Sequence, residues 1–176
     1  QDWFKHSFDD TSWPKGRRGA GYENSNGYQD LIDPNFDFKE KISSSENESI
    51  YMRIPFQLSE ALDFDQLTLL LRYDDGFIAY LNGTEVARAN SPGTAGRPQA
   101  WDASASATHS DGEAVTFIPF DISPNIELLR PGTNLLAIQG LNSGTSSSDF
   151  IIWPTLEAAK TAGGAPSGIS PSAITY

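Results

Sequence analysis

Apolar residues along this chain recur with a period of two far more clearly than with a period of 3.6. Residues 50–58 read I-Y-M-R-I-P-F-Q-L, where Met52, Ile54, Phe56 and Leu58 alternate with Arg53, Pro55 and Gln57. That alternation predicts a half-buried strand, and Pro55, which has no N–H for a ladder, places it at an edge or a bulge. Residues 67–73 are nearly continuous apolar sequence and predict a central strand. Residues 77–81 and 84–89 flank Asn82-Gly83, a dipeptide that favours a two-residue hairpin turn. Residues 115–122, 134–141 and 150–156 complete the set. Residues 58–67 and 124–129 have room for one helical turn each, and no longer window keeps an i, i+3, i+4, i+7 apolar pattern.

The joints carry turn chemistry: Asp74-Asp75-Gly76, Asn82-Gly83, Arg130-Pro131-Gly132 and Asn142-Ser143-Gly144. Short strands without intervening helices predict an all-β fold, an antiparallel jelly-roll β-sandwich. Two stretches, residues 8–47 and 90–113, break the pattern, and loops of that length are uncommon unless they are functional or disordered. The first contains Trp13, Tyr22, Tyr28, Phe36 and Phe38, which favours packing over disorder. Residues 158–176 are rich in Ala, Gly, Ser and Pro and read as a linker or tail, so the sandwich is expected over residues 1–157.

Composition narrows the partners. Twelve Lys and Arg against 23 Asp and Glu give a net charge of −11, which disfavours nucleic acid and anionic membrane surfaces. An aromatic share of 11% disfavours wholesale disorder. The chain has no Cys, which removes disulfides, thiolate metal sites and Cys nucleophiles. It has no run of apolar residues long enough to span a bilayer.

Three blocks of sequence resemble one family. Phe8-Asp9-Asp10-Thr11-Ser12-Trp13, followed by Gly19-Ala20-Gly21-Tyr22-Glu23, is similar to the opening of galactose-binding-like jelly rolls. The stretch from Tyr73-Asp74-Asp75-Gly76 to Tyr80-Leu81-Asn82-Gly83-Thr84-Glu85-Val86-Ala87-Arg88 resembles that family's central signature. Gly132-Thr133-Asn134-Leu135-Leu136-Ala137-Ile138 and Ser147-Ser148-Asp149-Phe150 resemble its end. Such domains accompany lamin-tail-like, spore-coat-H-like and carbohydrate-active domains in large secreted bacterial proteins. The resemblance implies an extracellular module with neighbouring domains of its parent chain as partners. It also implies a structural Ca²⁺ between an early acidic loop and the final strand, here Asp9, Asp10 and Glu157. Asp74-Asp75 resembles locally the Asp pair with which protective-antigen-type lectin domains hold Ca²⁺, and as a plain turn the same residues cap their own backbone.

Sugar recognition needs a flat apolar platform for C–H faces with polar groups around it for hydroxyls. Residues 90–113 offer Arg97, Trp101, Asp102, His109 and Asp111, residues 8–47 offer Tyr22 and Tyr28, and residues 142–149 offer Asn142 and Asp149. Trp101 stands out because its neighbours are small and polar. Its ring is expected either to face a ligand or to pin its loop to the sandwich. Trp3, Trp13 and Trp153 sit beside apolar residues and are expected in the core. An enzyme needs a nucleophile, a base and a stabiliser in reach, and no nucleophile elbow, phosphate loop or zinc motif occurs. The expectation is a non-catalytic carbohydrate-binding-like module with a polysaccharide or glycan as its partner. The rival is a spacer or adhesion domain that packs against its neighbours without a small ligand.

Overall fold

The computed structural model describes residues 2–25, 27–38, 47–59, 64–160, 167–169 and 174–175. The first strands are β1 (Lys15–Gly16), β2 (Gly19–Glu23), β3 (Ile32–Asp37) and β4 (Ser49–Leu58). Then come β5 (Gln66–Asp74), β6 (Gly76–Leu81), β7 (Thr84–Ala89) and β8 (Ile118–Asp121). The last are β9 (Gly132–Leu141), β10 (Asp149–Ala159), β11 (Ser167–Ile169) and β12 (Ile174–Thr175). Helix among the described residues is confined to 3₁₀ turns at Gln29–Leu31 and Ser123–Leu128 and the short α1 (Asp111–Ala114). None of it is long and apolar enough to cross a membrane.

Two sheets form, in the orders β1-β12-β4-β9-β6-β7 and β3-β2-β10-β5-β8, with β11 added to β10. Every pairing is antiparallel except β2 with β3, which is parallel. The expected antiparallel jelly roll is thus observed as a mostly antiparallel two-sheet sandwich. β10 runs to Ala159, and β11 and β12, inside the segment read as a tail, are paired into the sheets. The other residues of that segment after residue 160 lie outside the described ones. Residues 8–47, expected to be irregular, supply β1, β2 and β3.

The period of two assigns the faces. Met52, Ile54 and Phe56 on β4, Phe77 and Leu81 on β6, and Leu136 and Ile138 on β9 point between the sheets. There they meet Tyr22, Leu67, Leu69, Leu71, Phe150 and Ile152 from the other sheet. Their sequence neighbours Tyr51, Ile78, Tyr80 and Leu135 face outward and are roofed by the N-terminal residues. Trp3 stacks on Tyr51 at 4.1 Å and Phe4 on Tyr80 at 4.5 Å. Trp3 is therefore core, whereas Trp13 and Trp153 are only half-buried. Pro55 lies opposite Leu135 on β9, and β12 pairs with β4 on its other side, so β4 is an interior strand of its sheet and not the expected edge.

Asn82 and Gly83 take φ of 51° and 92° and join β6 to β7 as the hairpin pattern predicts. Asp74-Asp75-Gly76 is a different kind of joint. β5 lies in one sheet and β6 in the other, so these residues carry the chain across the sandwich rather than round a hairpin. That crossing places an Asp on each side of a sheet end.

Candidate functional site

Carboxylates gather on the outer face of the second sheet, where β2 and β5 end and β10 begins. Asp149 lies opposite Glu23, and Ile151 lies between Gly21 and Asp74. With alternating side chains, Glu23, Asp149 and Asp74 share one face. Asp74 is 2% and Asp149 6% exposed. The chain after β2 folds back onto Glu23, whose Oε1 accepts the Ser25 N–H and hydroxyl at 2.8 Å each. Its Oε2 accepts the Tyr28 N–H at 3.3 Å. The fully buried Tyr28 then donates its hydroxyl to Asp74 Oδ2 at 2.8 Å, with Asp149 Oδ2 3.3 Å away.

The third carboxylate arrives on α1. Ala114 is buried against Tyr28, Ile32 and Ile151, and this docking carries the exposed Asp111 over the buried pair. Asp74, Asp111 and Asp149 each bring an oxygen within 4.8 Å of the others; it is the one such group of three among the described residues. Like charges this close, out of water, oppose ionisation. Burial raises the Asp74 carboxyl to about 8, helped by Asp75 and Asp149 and opposed by the Tyr28 hydrogen bond. Burial likewise raises Asp149, reinforced by Asp111 and Glu23. Burial and Asp74 push Tyr28 above the usual phenol range. Hard oxygen ligands on separate chain segments are the donor set that suits Ca²⁺.

Asp75 ties the surrounding loops together. Its carboxylate accepts the backbone N–H of His109 at 3.0 Å and of Ser143 at 2.6 Å, and its carbonyl accepts Asn90 Nδ2 at 2.9 Å. His109 donates Nδ1–H to the Tyr73 carbonyl at 2.7 Å and lies flat on the Tyr73 ring at 4.2 Å. Asn142 Nδ2 donates to the Tyr22 hydroxyl at 2.9 Å, which donates to the Ser147 carbonyl at 3.0 Å. Tyr22, Tyr28, His109 and Asn142, expected as sugar contacts, do converge on one end of the sandwich. Their polar tips are bonded inward, however, so they brace the loops rather than face a ligand.

Trp101 does face solvent, with 54% of its surface exposed. Its loop is pinned through the backbone instead. The buried Ser49 donates its hydroxyl to the Trp101 carbonyl, and the buried Gln139 donates Nε2–H to the Ala100 carbonyl at 2.8 Å. The choice between platform and pin is thus split between ring and backbone. Arg97 and Asp102 are exposed on the same loop.

Asp9, Asp10 and Glu157, expected to share Ca²⁺, do not form such a group. Asp10 is paired with the buried Arg53 at 2.6 Å, which neutralises it. Asp9 caps its own turn, accepting the Thr11 N–H at 3.0 Å and hydroxyl at 2.7 Å, bonds that lower its pKa. Glu157 lies along β10 between Thr68 and Gly168. Of the three residues that do cluster, Asp74 was visible as a metal candidate and Asp111 and Asp149 as sugar candidates. Their grouping follows from α1 docking, which no local pattern announces.

No family model matches the sequence, and no curated protein matches it. Among solved structures, the chain is similar to Streptomyces avermitilis alpha-L-rhamnosidase complexed with L-rhamnose, at 19% identity over 73% of this chain and 10% of that one, with a TM-score of 0.45. Alpha-L-rhamnosidase from Dictyoglumus thermophilum matches at 11% identity over 92% of this chain and 16% of that one, TM-score 0.45. The PA14 domain of the MpAFP antifreeze protein matches at 16% identity over 92% of this chain and 69% of that one, TM-score 0.39. The chain spans only 10% and 16% of those two rhamnosidases. At TM-scores of this size the likeness assigns neither family nor ligand.

Proposed function

We propose that this chain is a non-catalytic, extracellular carbohydrate-binding module of a larger protein, with a Ca²⁺ ion held by Asp74, Asp111 and Asp149 at the loop end of the sandwich. The observation that carries this is the convergence of three carboxylates within 4.8 Å, two of them buried. An ion there has protein beneath it and the exposed Asp111 beside solvent, and Ca²⁺ accepts more ligands than three carboxylates supply. Glycan hydroxyls are of the right chemistry to complete it, and Trp101, held over the first sheet by Ser49 and Gln139, offers a separate ring face for stacking. A glycosidase pair needs a sugar between carboxyl groups about 5–5.5 Å or 6.5–9.5 Å apart. Here two of the three carboxylates are buried and share the Tyr28 hydroxyl, an arrangement that suits a shared cation instead.

Calorimetric titration of the chain with Ca²⁺, then a glycan array with and without chelator, tests this. Saturable Ca²⁺ binding and at least one glycan lost in chelator are expected. No Ca²⁺ binding overturns the metal, and silence across plant, algal and bacterial glycans leaves a spacer that packs against neighbouring domains. Trp101→Ala gives the second expected result. An exposed ring contributes little to the core, so the substitution costs less than about 1 kcal/mol, while glycan binding is lost. A loss on the order of 3–5 kcal/mol, as for a buried Trp, overturns the platform.

A further inference from the structure

The outer face of the second sheet also carries a cation without an anion. Arg72 on β5 lies opposite Trp153 on β10, on the same face as the Asp74–Ile151 pair. Its guanidinium sits 4.3 Å from the Phe117 ring centre and 4.9 Å from that of Trp153. The two rings meet edge to face, 5.8 Å apart at 66°, so Arg72 occupies the corner between them. Its Nε is buried with no hydrogen-bond partner, and among the described residues no carboxylate pairs with it. The other well-covered arginines are treated differently: Arg53 meets Asp10 and Arg88 meets Glu85, each at 2.6 Å. Burial lowers the Arg72 pKa, which is the cost of a desolvated cation whose only compensation is two ring faces.

Arg72, Phe117 and Trp153 are all half-exposed, so the terminal fork of the guanidinium is reachable from solvent. A planar fork matches a planar carboxylate in two parallel hydrogen bonds, and a ligand that also has an apolar ring face covers the aromatic flanks. The net charge of −11 repels long polyanions, which favours a ligand bearing one carboxylate. We propose that Arg72, Phe117 and Trp153 form a binding subsite for a carboxylated sugar, a single uronate unit. The subsite shares no residue with the Ca²⁺ cluster, so each is tested separately.

The test uses the whole chain in chelator, near neutral pH, with galacturonate and glucuronate titrated against galactose, glucose and acetate. Direct observation of the Arg72 Nε–H and Trp153 indole resonances reports the contact. Both uronates are expected to shift these signals saturably, and the neutral sugars are expected to leave them in place. Arg72→Gln is expected to weaken uronate binding about tenfold or more, the scale of one lost charge-assisted hydrogen bond. Arg72→Lys keeps the charge, loses the fork, and is expected to weaken it too; it also serves if Arg72→Gln folds poorly. Equal binding of neutral sugars, unchanged uronate affinity in both variants, or no saturable uronate binding at millimolar concentration overturns the subsite. Acetate binding as tightly as the uronates overturns the sugar and leaves a bare carboxylate site.

Discussion

In chelator, the melting temperature of this chain is expected to fall between pH 5 and pH 8, and millimolar Ca²⁺ is expected to restore it. The sign follows from Asp74. Its folded-state pKa, raised to about 8, lies far above the roughly 3.9 of a free Asp side chain. The folded chain therefore holds a proton that the unfolded chain has already released. Stability is fully present below about pH 4 and drains as the pH climbs through 8, by up to about 1.4 kcal/mol per pH unit. Asp149, also raised, adds in the same direction. Bound Ca²⁺ makes the ionised carboxylates the favoured form and removes the cost. At a hundredfold excess over its Kd, an ion that binds only the folded state adds about 2.7 kcal/mol. For a chain of 176 residues that is about 5–10 °C.

Asp74→Asn separates this from general self-repulsion at net charge −11. The amide oxygen still accepts the Tyr28 hydroxyl, but the charge is gone. The variant is expected to be more stable than the parent at pH 8 in chelator and to lose most of its response to Ca²⁺. A parent whose melting is the same at both pH values in chelator, and is indifferent to Ca²⁺, sinks the site. Most substitutions at buried positions destabilise, so a gain at pH 8 from Asp74→Asn points to relief of a buried charge.

What could be read from the sequence was whatever local chemistry decides. The alternation in β4 and the Asn82-Gly83 turn depend on neighbours one to three residues away, and both appear as expected. β2 and β3 were not legible, because their pairing is parallel and one strand carries the small residues Gly19, Ala20 and Gly21. What holds them is Tyr22 and Phe36 in the core, contacts that exist only once the sheets have closed. The site divides the same way. Asp74-Asp75 announced itself as an acidic pair at a strand end, yet its role as a passage between sheets was invisible. Asp111 reaches it only because Ala114 docks on Ile151, from the far end of a long loop. Tyr22 and Tyr28 looked like sugar contacts because aromatic residues in polar sequence look alike whether they face a sugar or bond inward, Tyr22 to the Ser147 carbonyl and Tyr28 to Asp74. Trp101 was separable from them in the structure alone, where Ser49 and Gln139 hold its backbone and leave the ring out.

Gly21→Ala tests how closely the fold controls this site. Gly21 sits on β2 opposite Ile151, and an added Cβ would lie 1.9 Å from the Phe150 carbonyl oxygen and 3.0 Å from Ile151 Cα. Those are backbone atoms, so no side chain can swing aside. β2 must move away from β10, and Glu23, two residues on, moves with it. Glu23 holds the Tyr28 N–H, and Tyr28 holds Asp74, so the displacement is passed to the carboxylate cluster. The expected cost is about 3 kcal/mol, the upper end for overpacking a filled site, together with a weaker Ca²⁺ response. Gly144→Ala is the control: it lies in the loop before β10, and nothing stands within 4 Å of its added Cβ. That variant is expected to melt and bind Ca²⁺ as the parent does. If Gly21→Ala melts like Gly144→Ala and keeps full Ca²⁺ stabilisation, the cluster is not held by the approach of β2 to β10.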